Sequence, residues 1–216
     1  MSCCHHCRDA ENLFDRRDAE HRLRRYRRSG PEGTTRLLVE ALRAAGVGGA
    51  SMLEIGGGVG VVHHELLAAG AASAVDVDAS SAYLAAAAGE SVRRGHAERV
   101  RYVHGDFVAL AESVAPADVV ALDRVVCCYP DMPALVGAAA ARARRLLGLV
   151  YPRHVWWVRA GVRAVNLGLT LQRSAFRIFC HPTAAVEAVA RRAGLVRRFQ
   201  RNQGPWQVVV FERAGA

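Results

Sequence analysis

The last two apolar segments of the chain, "LVRRFQR" (Leu195 to Arg201) and "WQVVVFER" (Trp206 to Arg213), are joined only by "NQGP". A connection this short cannot carry a crossover between parallel strands, so the pair must be an antiparallel hairpin. Everything before it reads differently. From "SMLEI" onward, strand patterns alternate with helical ones. The strands are "SMLEI", "AVDV", "RVRYVHGD", "ADVVALD" and "LLGLVYP". The helices run over about 60–69, 80–94, 107–114 and 132–145, with a last one in "HPTAAVEAVARRAG". Such alternation predicts right-handed crossovers and a parallel sheet with helices on both faces. The expected fold is α/β and Rossmann-like: seven strands, mostly parallel, closed by an antiparallel C-terminal hairpin.

At 216 residues the chain suits one such domain. Two helices precede it, over about 11–28 and 34–45, separated by "SGPEG". No apolar run reaches the eighteen or so residues needed to span a bilayer. "MSCCHHCRDAENLFDRRD" has no apolar segment of the kind a signal peptide carries. The expected location is the cytoplasm.

The formal net charge of +9 is carried by arginine alone, because the chain contains no lysine. This excludes a P-loop, which needs Gly-Lys before its Ser/Thr, and a pyridoxal phosphate enzyme, which needs a lysine Schiff base. The densest basic stretch is "HRLRRYRR" (His21 to Arg28), but Glu11, Asp15, Asp18 and Glu20 interleave just before it. That pattern reads as a solvated helix face rather than a nucleic-acid patch.

The segment "LEIGGGVG" (Leu53 to Gly60) places glycines directly after a strand. A dinucleotide fold wants G-x-G-x-x-G, and counted from Gly56 the third glycine falls on Val61. The actual spacing is acid-x-G-x-G-x-G, through Glu54, Gly56, Gly58 and Gly60. Taken alone it fits either a tight strand-to-helix turn or a ligand approaching the backbone at a helix start. The segment resembles the first motif of class I S-adenosylmethionine-dependent methyltransferases, and the order of elements matches their fold over about 34–213. The resemblance implies residues 1–33 as an N-terminal tail and helical cap, and residues 34–216 as the methyltransferase domain.

It also implies a ligand set for S-adenosyl-L-methionine. Glu54 would serve the ammonium end beside the turn Gly56–Gly58–Gly60. An acid ending the second strand would accept the ribose hydroxyls; Asp76 is read as that acid in preference to Asp78, with Val77 beside it. "HGDF" supplies Asp106 for the adenine amino group and Phe107 beside the ring. Asp123 and Arg124 would sit at the pocket lip, and Tyr26 could reach the cofactor from the cap. The four acidic sites all lie at the carboxyl ends of strands, where ligands bind in open α/β sheets.

"CCYPD" (Cys127 to Asp131) and "YPR" (Tyr151 to Arg153) are similar to segments of magnesium-protoporphyrin O-methyltransferase-like proteins. The resemblance implies methyl transfer to a small-molecule acceptor, at oxygen, flat or apolar with acidic groups. Tyr129, Arg153 and His154 are the catalytic candidates: two bases, and a guanidinium able to grip a carboxylate. The "[DNS]-P-P-[YFW]" motif of base-methylating enzymes is absent. A thiol or soft-metalloid acceptor stays open through Cys127 and Cys128, as does a nucleotide-dependent oxidoreductase on a related fold. "CCHHC" (Cys3 to Cys7) has no second ligating segment and is read as tail, with no metal expected. Residues 154–179 read equally as a lid over substrate or as an ordinary packed helix.

Overall fold

A computed structural model gives the structure of the chain, described here for residues 15–215. The "CCHHC" cluster lies outside the described residues. Two helices come first, α1 (Arg16–Ser29) and α2 (Gly33–Ala44). The alternating part follows as β1 (Ser51–Ile55), α3 (Val61–Ala68), β2 (Ser73–Asp78), α4 (Ser81–Arg93), β3 (Val100–His104), the short α5 (Phe107–Leu110), β4 (Ala117–Asp123), α6 (Met132–Arg142) and β5 (Ala143–Pro152). Then come α7 (Trp156–Leu171), α8 (Thr183–Arg192), β6 (Leu195–Gln203) and β7 (Trp206–Arg213).

The strands form one seven-stranded sheet in the order β3-β2-β1-β4-β5-β7-β6. β1 to β5 pair in parallel, and β7 enters antiparallel between β5 and β6. The hairpin forced by "NQGP" is present, and its second strand takes the inner place. Composition explains that choice. β7 offers Val208, Val209, Val210 and Phe211, all buried, whereas β6 carries exposed arginines suited to an edge. One boundary differs from the sequence reading: β5 begins at Ala143, and α6 ends at Arg142. Pairing of Ala117 with Ala143 draws that end of the strand into the sheet.

Two apolar layers cover the sheet. On one face α6 and α8 pack over Leu122, Leu147, Leu149 and Phe211; on the other, α2 and α3 pack over Met52, Val119, Leu146 and Val210. At the centre, Gly148 of β5 faces Leu38 and Leu42 of α2, and a methyl there would come within 2.7 Å of Leu38. The helix can therefore lie close on the strand only because the side chain is missing. α1 is tied to the body by polar contacts. The Tyr26 hydroxyl donates to Glu65 at 2.6 Å, Arg27 pairs with Glu90 at 2.8 Å, and Tyr83 donates to Asp18.

Candidate active site

The reversal of strand order falls between β1 and β4, where chain connections leave in opposite directions and open a crevice at the carboxyl ends of the strands. A cavity of about 1130 Å³ lies there. Its floor is built by the ends of four adjacent strands: Glu54 and Ile55 of β1, Val77 and Asp78 of β2, Gly105 to Phe107 after β3, and Asp123 of β4. α1 closes one side through Asp18, His21, Arg22, Arg25 and Tyr26, and α7 another through Trp157, Val158 and Val162. The volume exceeds the usual range for one drug-sized ligand.

The glycine turn has a local cause at each position. Gly56, Gly58 and Gly60 all have positive φ, at 65°, 60° and 79°. Gly56 is further constrained by Val125, 2.6 Å from where its Cβ would stand. Gly58 alone of the four faces open space, with only Tyr83 near, at 3.9 Å, and its amide donates to Asp78 at 2.9 Å. Gly57 is not in the left-handed region; it must be glycine because the Asp76 carboxylate occupies the space, 2.5 Å from a would-be Cβ.

Charge defines what the floor can hold. Glu54 is buried, accepts from the His63 amide at the start of α3 at 3.0 Å, and shares its Oε2 with the His63 ring at 2.7 Å. Burial pushes its carboxyl up to about 8, with Asp123 and Asp78 adding repulsion. Burial likewise raises Asp78, although the amides of Ser80 and Gly58 pull the other way. Acids crowded in this manner, with no cation supplied by the described residues touching Glu54 except a histidine held neutral by burial (down to about 3), fit a positively charged ligand. Asp106 N-caps α5 through Val108 at 3.1 Å and accepts from the Tyr129 hydroxyl at 3.2 Å. Asp123 accepts from Thr35 and pairs with Arg124 at 3.2 Å, while Arg124 also donates to Thr35 at 3.0 Å.

Of the residues named from sequence, Tyr26, Glu54, Gly56, Gly58, Val77, Asp106, Phe107, Asp123, Arg124 and Tyr129 line the cavity. Four do not. Gly60 caps α3, where a methyl would strike the His63 and His64 rings. Asp76 is fully buried behind the turn, 4.0 Å from His63, with neither oxygen hydrogen-bonded. Strand alternation puts Asp76 and Asp78 on one face, but Asp78 is the last residue of β2 and so reaches the cavity. Of the two acids, Asp78 is the one that lines the cavity. Arg153 turns away onto the β6–β7 turn, donating its amide to Pro205 at 2.8 Å and its guanidinium to Gly204 at 3.3 Å. His154 is exposed before α7 and does not line the cavity.

Sequence reasoning did not single out Thr35, Trp157, Phe176 and Ile178 on the cavity wall, although the segment Gly30 to Leu38 was a candidate cap over the cofactor. Only the length and apolarity of the segment after β5 pointed toward the last three. It also missed the buried pair His63 and His64, whose rings meet edge to face at 4.2 Å beneath Tyr26 and Tyr102.

With this geometry in hand, comparisons with known proteins agree. Residues 53–149 match the model of a methyltransferase domain. No curated protein matches the chain. Among solved structures, magnesium protoporphyrin IX methyltransferase (ChlM) from Synechocystis PCC 6803 with bound SAH is similar. It shares 16% identity over 84% of this chain and 82% of that one, with a TM-score of 0.67. An O-methyltransferase family protein from Burkholderia thailandensis shares 18% over 97% of this chain and 63% of that one, at 0.71. An O-methyltransferase family 2 protein from Planctomyces limnophilus, in complex with apigenin, shares 16% over 83% and 60%, at 0.61. Residues 53–149 are thus a methyltransferase domain, whose cofactor is S-adenosyl-L-methionine, and the chain has the Rossmann-like fold of the methyltransferases it resembles. A sulfonium and an ammonium on one nucleoside are what a floor of crowded acids suits.

Proposed function

We propose that the enzyme methylates a small, mostly apolar acceptor at oxygen, with the cofactor on the β1–β3 side of the cavity and the acceptor between α1, β4 and α7. The observation that carries this reading is the row of carboxylates Glu54, Asp78, Asp106 and Asp123 across four adjacent strand ends, opposite a wall of Trp157, Val158, Val162 and Phe176. Glu54 holds the ammonium end beside the Gly56–Gly58 turn, Asp78 accepts the ribose hydroxyls, and Asp106 accepts the adenine amino group with Phe107 against the ring. Tyr129 is then a positioning residue, because its hydroxyl is already donated to Asp106. Tyr26 packs at the edge, its hydroxyl given to Glu65. Anionic groups on an acceptor would meet Arg22 and Arg124 rather than Arg153.

S-adenosylmethionine supplies a methyl group already activated by the sulfonium, so an acceptor carboxylate or phenolate needs mainly orientation and exclusion of water. The closing faces of α1 and α7 provide both. Titration calorimetry with S-adenosylhomocysteine tests the assignment. Asp78→Asn should weaken binding by at least about tenfold, and Asp76→Asn by much less. Equal losses would return the ribose role to Asp76, and no binding by folded wild type would remove the cofactor assignment.

A second reading has its own observation. The sulfurs of Cys127 and Cys128 lie 3.7 Å apart, and both residues border the cavity. A hydrogen bond from Cys127 lowers the Cys128 thiol while raising its own. A thiol-seeking acceptor could be held there. An acceptor screen comparing phenols and carboxylic acids with trivalent arsenicals decides between the two. Turnover confined to the arsenicals would overturn oxygen methylation.

A further inference from the structure

Helix α7 is apolar on two opposite sides. Trp157, Val158, Val162 and Val165 line the cavity. On the other side Trp156, Ala160, Ala164, Leu167 and Leu171 recur every three or four residues, which places them on one stripe. That stripe is in solvent. Trp156 is 79% exposed, Leu167 63% and Leu171 78%, and Val158 is the helix's one buried residue. An apolar stripe of this kind is normally covered, and nothing among the described residues covers this one.

The charge around the stripe selects the cover. From Met132 to Val186 the chain holds no acidic residue. Arg159 and Arg163 flank the stripe, exposed, and Arg173 follows just past the helix end; none of the three has an ion-pair partner among the described residues. A second copy packed symmetrically on the same stripe would bring these guanidinium groups together with no carboxylate from either segment to pair them. An aliphatic stripe with tryptophan at its start and arginine along its border instead suits the headgroup–acyl boundary of an anionic bilayer. The helix, 16 residues long, covers about 24 Å and lies along such a surface; no helix among the described residues is long and apolar enough to cross it.

We infer that the outer face of α7 docks the enzyme on an anionic membrane surface, seating one wall of the active-site cavity against the lipid. An apolar acceptor could then reach the cavity without passing through bulk water.

The experiment uses the full chain and needs no turnover. Wild type is sedimented with vesicles of phosphatidylcholine alone, and with vesicles containing phosphatidylglycerol as well. Binding to the second should exceed binding to the first by at least about tenfold and should fall as salt rises. Tryptophan fluorescence should be quenched by brominated acyl chains, and Trp156→Phe should remove a large share of that quenching. The triple variant Trp156→Ser/Leu167→Ser/Leu171→Ser, and separately Arg159→Gln/Arg163→Gln, should each lower vesicle binding by about tenfold or more. S-adenosylhomocysteine affinity should be retained in both, since the altered side chains face away from the cavity. Wild type that stays in solution with anionic vesicles would overturn the inference. So would vesicle binding indifferent to both sets of substitutions. A wild-type dimer that the triple variant dissociates, or binding to an acidic polypeptide without binding to vesicles, would assign the face to a protein and overturn it too.

Discussion

The sharpest test of the glycine turn is to fill it. A Cβ on Gly57 would stand 2.5 Å from Asp76 Oδ1, 2.8 Å from its Cγ and 2.9 Å from Oδ2. Asp76 cannot withdraw, because it is fully buried, paired in register with Glu54 across β1, and faced by His63. The backbone itself would accept alanine, since Gly57 is absent from the positive-φ residues. Two effects therefore oppose each other. Alanine stiffens the unfolded chain, a gain of about 0.4–1 kcal/mol, and overpacking costs about 1–3 kcal/mol. Gly57→Ala should be destabilising by about 1–2 kcal/mol, the overpacking winning.

Removing the obstacle should reverse the sign. In Gly57→Ala/Asp76→Ala the new methyl enters space the carboxylate has vacated, so the coupling between the two substitutions should be favourable by about 1–3 kcal/mol. Urea unfolding of the four proteins at one pH gives the cycle directly. Asp76 adds a pH signature. Burial raises its pKa, and Glu54 and Asp78 raise it further. The folded state thus holds the proton more tightly than the unfolded chain. Stability is lost as pH climbs from the ordinary carboxylate pKa towards the raised one. Asp76→Ala removes that loss, so its stability relative to wild type should improve as pH rises above the ordinary carboxylate range. Strict additivity of the two substitutions, or a pH-independent effect of Asp76→Ala, would refute the packing and the buried acid respectively.

Other outcomes follow from the same geometry. Gly148→Ala drives a methyl against Leu38 and Leu42 and should cost about 1–3 kcal/mol in urea unfolding without changing S-adenosylhomocysteine affinity. Tyr26→Phe, which deletes the bond to Glu65, should cost about 1–2 kcal/mol and loosen α1, seen as faster amide exchange over 16–29. Tyr129→Phe should raise the dissociation constant for S-adenosylhomocysteine more than it lowers kcat; the opposite split would make Tyr129 a catalytic residue. Cys127→Ala/Cys128→Ala should preserve methyl transfer and lower stability by about 1 kcal/mol, whereas selective loss of turnover in a folded variant would favour the thiol-seeking reading.

The parallel sheet and its closing hairpin were legible because each depends on something local: alternating periodicities, and a connection too short for a crossover. That β7 rather than β6 lies inside the sheet was not part of the sequence reading, although the contrast between "QVVVF" and "RRFQR" agrees with the pairing of β7 to β5. The acids at the cavity floor were readable as strand-end residues, and the one among them that does not line the cavity, Asp76, is displaced for a physical reason. "AVDVDAS" carries two acids on the same face of the strand, and which of them opens onto the cavity depends on where β2 stops, a boundary fixed by pairing with β3 out to His104. Arg153 and His154 lie off the cavity for a related reason. They follow β5, so they looked like strand-end residues of the parallel set, but β7 runs antiparallel beside β5 and brings the turn at Gly204 and Pro205 alongside, where it takes both the amide and the guanidinium of Arg153. The length and apolarity of 154–179 pointed to the cavity wall, but local pattern could not say which face of its helix looks inward. Residues 156–171 satisfy a helical period on either face, and only the tertiary arrangement shows that the valine-rich face looks inward while Trp156, Leu167 and Leu171 look out.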